Sequence, residues 1–177
     1  ARFGASHALW QLTEAAAARG GVLDDTDVDC TLLLARAYVH RDATESAERL
    51  LAERAPRLGK VSVWLERAEL AGRLHGLDRK AELLEEAARA LPHSGTVLAK
   101  CGGALVERGR FAEGERLVRQ ALELEPTNAH ALNALAVSRL SFRRHAEASS
   151  LLERLVALHP LRSEHHSNLL LMRHYVG

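Results

Sequence analysis

Histidine is the residue type in this chain whose number and crowding could do chemistry. Ten occur, and His159, His165, His166 and His174 gather near the C-terminal end. His166 and His174 stand two helical turns apart on nearly one face, so a metal site would need them to converge with a carboxylate such as Glu164. No HExxH spacing supplies that convergence. Exposed helix histidines are the plainer reading. Ser167 lies beside His166 and near Glu164, but a nucleophilic triad converges from separate rigid elements around an oxyanion site. Gly102-Gly103 sits inside a helical pattern, where close packing explains it better than a phosphate loop does. Cys30 and Cys101 form no CxxC pair, so a cysteine zinc site is unsupported. Both fall among apolar residues and read as buried free thiols, which suits a reducing compartment. These residues therefore point to no catalytic group, no metal and no cofactor.

Composition narrows the partners. Lys and Arg number 24 against 23 Asp and Glu, a formal charge of +1 over 177 residues. That balance gives no gross drive toward nucleic acid or an anionic membrane surface. Aromatics are scarce and sit mainly at packing positions, as Trp64 does, so a basic stripe with stacked bases is not expected. No apolar run approaches the ~20 residues of a membrane span, and no signal peptide is visible. The expected compartment is the cytoplasm, with the periplasm as the alternative. The chain opens on Ala1 and its only methionine is Met172, so it reads as a fragment or a processed product.

What must position any function is helical. The Ala/Leu/Glu/Arg-rich mix has high helix propensity. Pro92, Pro126 and Pro160 recur at a strict 34-residue interval. A period of that length marks a helix-turn-helix unit that buries its apolar face only by stacking on copies of itself. Four pairs follow: about Val28 to His40 with Ala43 to Glu53, Val61 to Leu74 with Arg79 to Ala90, Thr96 to Glu107 with Ala112 to Leu124, and Ala129 to Leu140 with His145 to Ala157. Thr26 or Asp27, Ser94 and Thr127 sit where N-caps are wanted, and Asp42 with Glu45 looks like a capping box. Each proline follows a second helix and stops it. Residues 1–27 read as an atypical N-terminal capping helix and loop, then come repeats 28–60, 61–94, 95–128 and 129–162, and residues 163–177 form a C-terminal helix.

The spacing of small and large residues resembles the tetratricopeptide repeat family over about Val28 to Tyr175. Small positions are Ala35, Ala68, Gly102 and Ala136 in the first helices, and Ala47, Gly114 and Ala148 in the second, with Ala81 one place out of step. Leu34, Tyr38, Trp64, Leu98, Leu132, Leu135, Leu51, Leu84, Val118 and Leu152 are the large fillers. Departures are Pro56 with a 33-residue first step, Lys80 at a usually small place, and Arg139 and Leu105 where tyrosine is customary. The resemblance implies an all-α solenoid of helical hairpins, a right-handed superhelix of about four full repeats plus terminal helices, with first helices lining a concave face.

On that reading the groove-facing residues are Asp29, Leu32, Arg36 and His40, then Ser62, Leu65, Glu69 and Arg73, then Thr96, Ala99, Gly103 and Glu107, then His130, Asn133, Val137 and Ser141. The expected function is a non-catalytic scaffold holding a peptide or partner protein there. The bland alternative is a solvated face with no ligand. Leu32 and Arg36 occupy the places of a carboxylate clamp, which is therefore unsupported. Leu33, Glu66, Lys100, Ala134 and Asn168 occupy those of the asparagine ladder of O-linked N-acetylglucosamine transferases, and only Asn168 matches. The stretch His166 to Tyr175 resembles the junction between repeats and catalytic region in bacterial relatives of those transferases. The alternative function is thus a targeting arm of a larger group-transfer enzyme. Leu169, Leu170, Leu171 and Met172, with Tyr175, form an apolar run expected to meet a downstream domain or a second copy of the chain.

Overall fold

The computed structural model describes residues 15, 27–162 and 167–170. The chain divides into two units between Ala90 and Leu91. The first holds α1 (Val28–His40), α2 (Thr44–Leu58), α3 (Val61–His75) and α4 (Leu77–Ala90). The second holds α5 (Gly95–Glu107), α6 (Phe111–Leu124), α7 (Ala129–Ser141) and α8 (His145–Leu158), and residues 167–170 are helical. No strand occurs among the described residues. The architecture is all-α, built of helical hairpins. In each unit the two helices of a hairpin pack on each other, and the first helix of the next hairpin packs on both. The helix expected over Ala5 to Arg19 lies outside the described residues except for Ala15.

First and second helices start differently, except that the first helix α3, which follows Lys60, has no side-chain cap either. Asp27, Ser94 and Asn128 cap α1, α5 and α7 by accepting from the backbone N–H of Cys30, Val97 and Ala131 at 3.1, 3.3 and 3.0 Å. Asn128, not the expected Thr127, is therefore the cap of α7. The second helices α2, α6 and α8 have no side-chain cap. They follow tight turns in which one residue is left-handed: Asp42, Gly109 and Arg143, at φ 58°, 76° and 56°. In each turn the following N–H reaches back five residues, as from Arg110 to Leu105 O and from Arg144 to Arg139 O, both 2.9 Å. Asp42 is thus a turn residue and not the start of a capping box. A left-handed backbone costs a residue with a Cβ about 1–2 kcal/mol. Arg143→Gly should accordingly raise unfolding stability by about 1 kcal/mol in urea titrations, with an unchanged m-value. No gain would mean that Arg143 makes compensating contacts.

Helix ends also differ from expectation at one place. The second helix of the first hairpin runs past Pro56 to Leu58 instead of ending near Glu53, and Gly59, at φ 59°, closes it with its N–H on Ala55 O. Pro92, Pro126 and Pro160 each fall two residues beyond a second helix, at the ends of α4, α6 and α8. Before Pro126, the Glu125 carboxylate returns to the start of α5, where it accepts from Thr96 N at 3.1 Å and from Asn128 Nδ2 at 2.6 Å. Gly95 makes room for it: a Cβ there would lie 2.7 Å from the Glu125 carboxylate.

Cores form where small residues let helices meet. In the second unit, Gly102 of α5 and Gly114 of α6 face each other so closely that a Cβ on either would come within 2.7 Å of the other's carbonyl oxygen. One repeat later Ala136 and Ala148 occupy the same places, and they join Leu132, Leu152, Leu155 and Leu169 in one apolar cluster. In the first unit the small and large roles are exchanged at the α3–α4 crossing. Lys80 fills the usually small position, and Gly72 opposite it leaves space: a Cβ at Gly72 would meet the Lys80 stem at 3.0 Å. The Lys80 ammonium reaches Glu69 at 2.8 Å, so its apolar stem packs while its charge is paired.

Candidate functional site

A first helix buries the residues that meet its hairpin partner and leaves a line of residues at i, i+3, i+7 and i+11 outside the packing. Those lines constitute the candidate binding face, and each unit presents its own. In the first unit Asp29, Arg36 and His40 of α1 are exposed, and Leu33 rather than Leu32 is the exposed leucine. Arg36 pairs with Glu66 of α3 at 3.3 Å. On α3, Ser62 and Arg73 are exposed, whereas Glu69 is half-buried and engaged by Lys80.

In the second unit the expected smooth middle of α5 is largely internal. Ala99 is fully buried, and Gly103 is half-buried with Ala134 of α7 at its back. Thr96 is drawn into the Glu125 contact, and Glu107 is exposed. On α7 the line is continuous: His130 is exposed, Asn133 half-buried, Val137 38% exposed and Ser141 exposed with its hydroxyl donating to Val137 O at 3.1 Å. Asn133 Oδ1 accepts from Asn168 Nδ2 at 3.1 Å, which ties the segment 167–170 to α7. Leu169 is 8% exposed and belongs to the unit's own core, which removes it from the outward apolar run, while Leu170 remains 65% exposed. Met172 and Tyr175, the histidines His165, His166 and His174, and most of the stretch that resembles a transferase junction lie outside the described residues. Among the described residues no group of three metal-type ligands gathers, and no helix is long and apolar enough to cross a membrane.

The densest electrostatic feature of the second unit was invisible as such in the sequence. Arg139, only 8% exposed, donates to both oxygens of Glu115 at 2.6 and 3.2 Å and pairs with Glu147 at 2.9 Å. Ser138, fully buried, donates to the same Glu115 carboxylate. Burial pushes the Glu115 carboxyl up, but the hydrogen bonds from Arg139 and Ser138, helped by the nearby Arg119 charge, outweigh it and hold the group below the ordinary glutamate range. The Arg139 guanidinium is raised in turn, chiefly by its hydrogen bond to Glu115. Arg139 thus takes a customary tyrosine position with a charge that α6 neutralises. This is a packing device joining α6, α7 and α8, and it lies off the binding line of α7. Trp64 likewise is a packing residue, 4% exposed, with the Arg67 guanidinium 5.3 Å over its ring and Glu86 holding that Arg at 3.2 Å.

Comparison with known proteins agrees with this geometry. Residues 105–170 match the family model of the tetratricopeptide repeat. No curated protein matches the chain. Among solved structures, the chain is similar to TTC0263, a thermophilic TPR protein of Thermus thermophilus, at 19% identity and a TM-score of 0.68 over 97% of this chain and 95% of that one. It is similar to YrrB, a TPR protein with an unusual peptide-binding site, at 15% identity and a TM-score of 0.63 over 94% and 87%. It is also similar to the first TPR of Spaghetti (RPAP3) bound to the HSP90 peptide SRMEEVD, at 18% identity and a TM-score of 0.56 over 64% and 90%. Residues 105–170 thus match the tetratricopeptide repeat, and the chain as a whole shares the helical-hairpin fold of solved TPR proteins.

Proposed function

We propose that the chain is a non-catalytic interaction scaffold that holds a segment of a partner protein against the outer lines of its first helices. The observation that carries this reading is the line His130, Asn133, Val137 and Ser141. It combines polar side chains with an exposed valine on a helix whose other faces are buried. Such a mixed strip supplies hydrogen bonds for a backbone and an apolar seat for a side chain. Glu107 flanks it in the second unit. Asp29, Arg36, His40, Glu69 and Arg73 are the corresponding contacts proposed for the first unit. Peptide binding by YrrB and by the first TPR of Spaghetti supports a peptide as the kind of ligand.

Because Leu32 and Arg36 stand where a carboxylate clamp would, the recognised segment is internal to the partner, not its C-terminus. Peptides selected from a random library on the whole chain should bind equally with free and amidated C-termini. Val137→Glu, which places a charge in the apolar seat, should weaken them on the order of tenfold or more in calorimetric titrations. Arg119→Ala, on α6, should leave them unaffected. Binding lost on amidation, or lost through Arg119 and kept by the Val137 variant, would contradict the proposal.

A further inference from the structure

The turn between α7 and α8 departs from the turn one repeat earlier in two respects. Where the earlier turn has Gly109 in the left-handed conformation, at φ 76°, this one has Arg143 at φ 56°. Where the earlier one has Arg108, this one has Phe142, 53% exposed although its ring meets Phe111 edge-on at 5.0 Å and 62°. The turn geometry requires a left-handed residue, and an arginine there costs the fold stability that a glycine would not, as residues in ligand clamps do, while a solvated aromatic pair offers a partner an apolar surface. The neighbouring cations are engaged: Arg110 pairs with Glu113 at 2.7 Å, and Arg144 lies 3.8 Å from Glu147. The Arg143 guanidinium has no carboxylate partner among the described residues. Phe142 directly follows Ser141, so the aromatic edge and this surplus cation terminate the exposed line of α7.

We infer that this turn is a specificity subsite, taking an apolar or aromatic side chain of the partner segment against the Phe111–Phe142 pair and an adjacent Asp or Glu on Arg143. The inference rests on the proposed peptide-binding role of α7 and adds to it what the peptide must contain. Charge complementarity sets the acidic content at a single residue, because Arg110 and Arg144 on either side are already engaged by Glu113 and Glu147. Stacking on an aromatic edge selects the neighbour.

A random peptide library panned on the whole chain tests this. Enriched peptides should carry an apolar or aromatic residue beside one Asp or Glu. Phe142→Ser and Arg143→Gly should each weaken them on the order of tenfold. Selection repeated on Arg143→Gly should lose the acidic position and keep the aromatic one. Arg143→Gly relieves a left-handed residue, so its weaker binding cannot be blamed on unfolding, and a thermal melt confirms this. Peptides without the acidic position, or peptides bound unchanged by both variants yet lost by Val137→Glu, would overturn the subsite while leaving the α7 line standing. Peptides indifferent to all three variants, or no enrichment, would overturn both.

Discussion

Gly102→Ala should destabilise the second unit by about 2–3 kcal/mol, while Gly103→Ala, one residue on, should leave it unchanged or stabilise it by up to about 1 kcal/mol. The two glycines have the same helical environment and opposite surroundings. A Cβ at Gly102 would lie 2.7 Å from Gly114 O and 2.7 Å from Val118 Cγ2. The carbonyl belongs to helix backbone and cannot step aside, so α5 and α6 must separate and lose their packing. A Cβ at Gly103 would stand 3.6 Å from Ala134 Cβ, an ordinary contact, and would remove the conformational entropy that glycine loses in a helix. Chemical denaturation of both variants measures the contrast. Equal stabilities would mean that the α5–α6 crossing is not the close one.

Arg139→Ala should cost about 3 kcal/mol, the low end for a broken buried pair. It leaves Glu115, whose side chain is only 15% exposed, with Ser138 and the solvent-exposed Arg119, which pairs with it at 2.9 Å and keeps the cost at that low end. The same pair makes stability depend on pH in a defined direction. Glu115 is held below the ordinary glutamate range in the folded chain, so the folded state favours its carboxylate. Its contribution is fully present above the unfolded glutamate value and is lost as pH falls through the lowered folded value. Asp27 and Glu113 are lowered too, Asp27 chiefly by the backbone N–H of Cys30 and Glu113 chiefly by Arg110, so wild-type stability retains an acid slope from those groups. Subtracting the curve of Glu115→Gln from that of the wild type isolates the Glu115 part. The difference should shrink as pH falls through the range from the ordinary glutamate value down to the lowered folded value. A difference that stays constant through that range would show that Glu115 titrates normally.

The hairpin positions were legible because they follow from features that repeat. Prolines end second helices, and Gly102, Gly114, Ala136 and Ala148 sit at crossings 34 residues apart. What was not legible depends on partners distant in sequence. Glu115 looks like an ordinary exposed helix charge until Arg139, 24 residues on, is folded against it. Lys80 looks misplaced until Gly72 supplies its space. Asp42 suits a cap by type, but the turn needs its left-handed residue before the cap, and that geometry has no composition signature other than glycine.

The candidate site was legible in part for the same reason. Helical spacing placed His130, Asn133, Val137 and Ser141 on one line, because that line depends on α7 alone. Helical spacing failed for Ala99, which is buried, and for Leu169, which the core of the second unit takes up. The exposed pairing of Phe142 with Phe111 brings together residues of two hairpins, so no single repeat reveals it.

The direct test of the scaffold reading is an NMR titration of the isotopically labelled chain with a library-selected peptide. Amide and side-chain shifts should move at Glu107, His130, Asn133, Val137, Ser141 and Phe142, on the open lines of α5 and α7 and the turn that follows. Shifts confined to Arg119, Glu123 and Glu153, on the second helices, would contradict it.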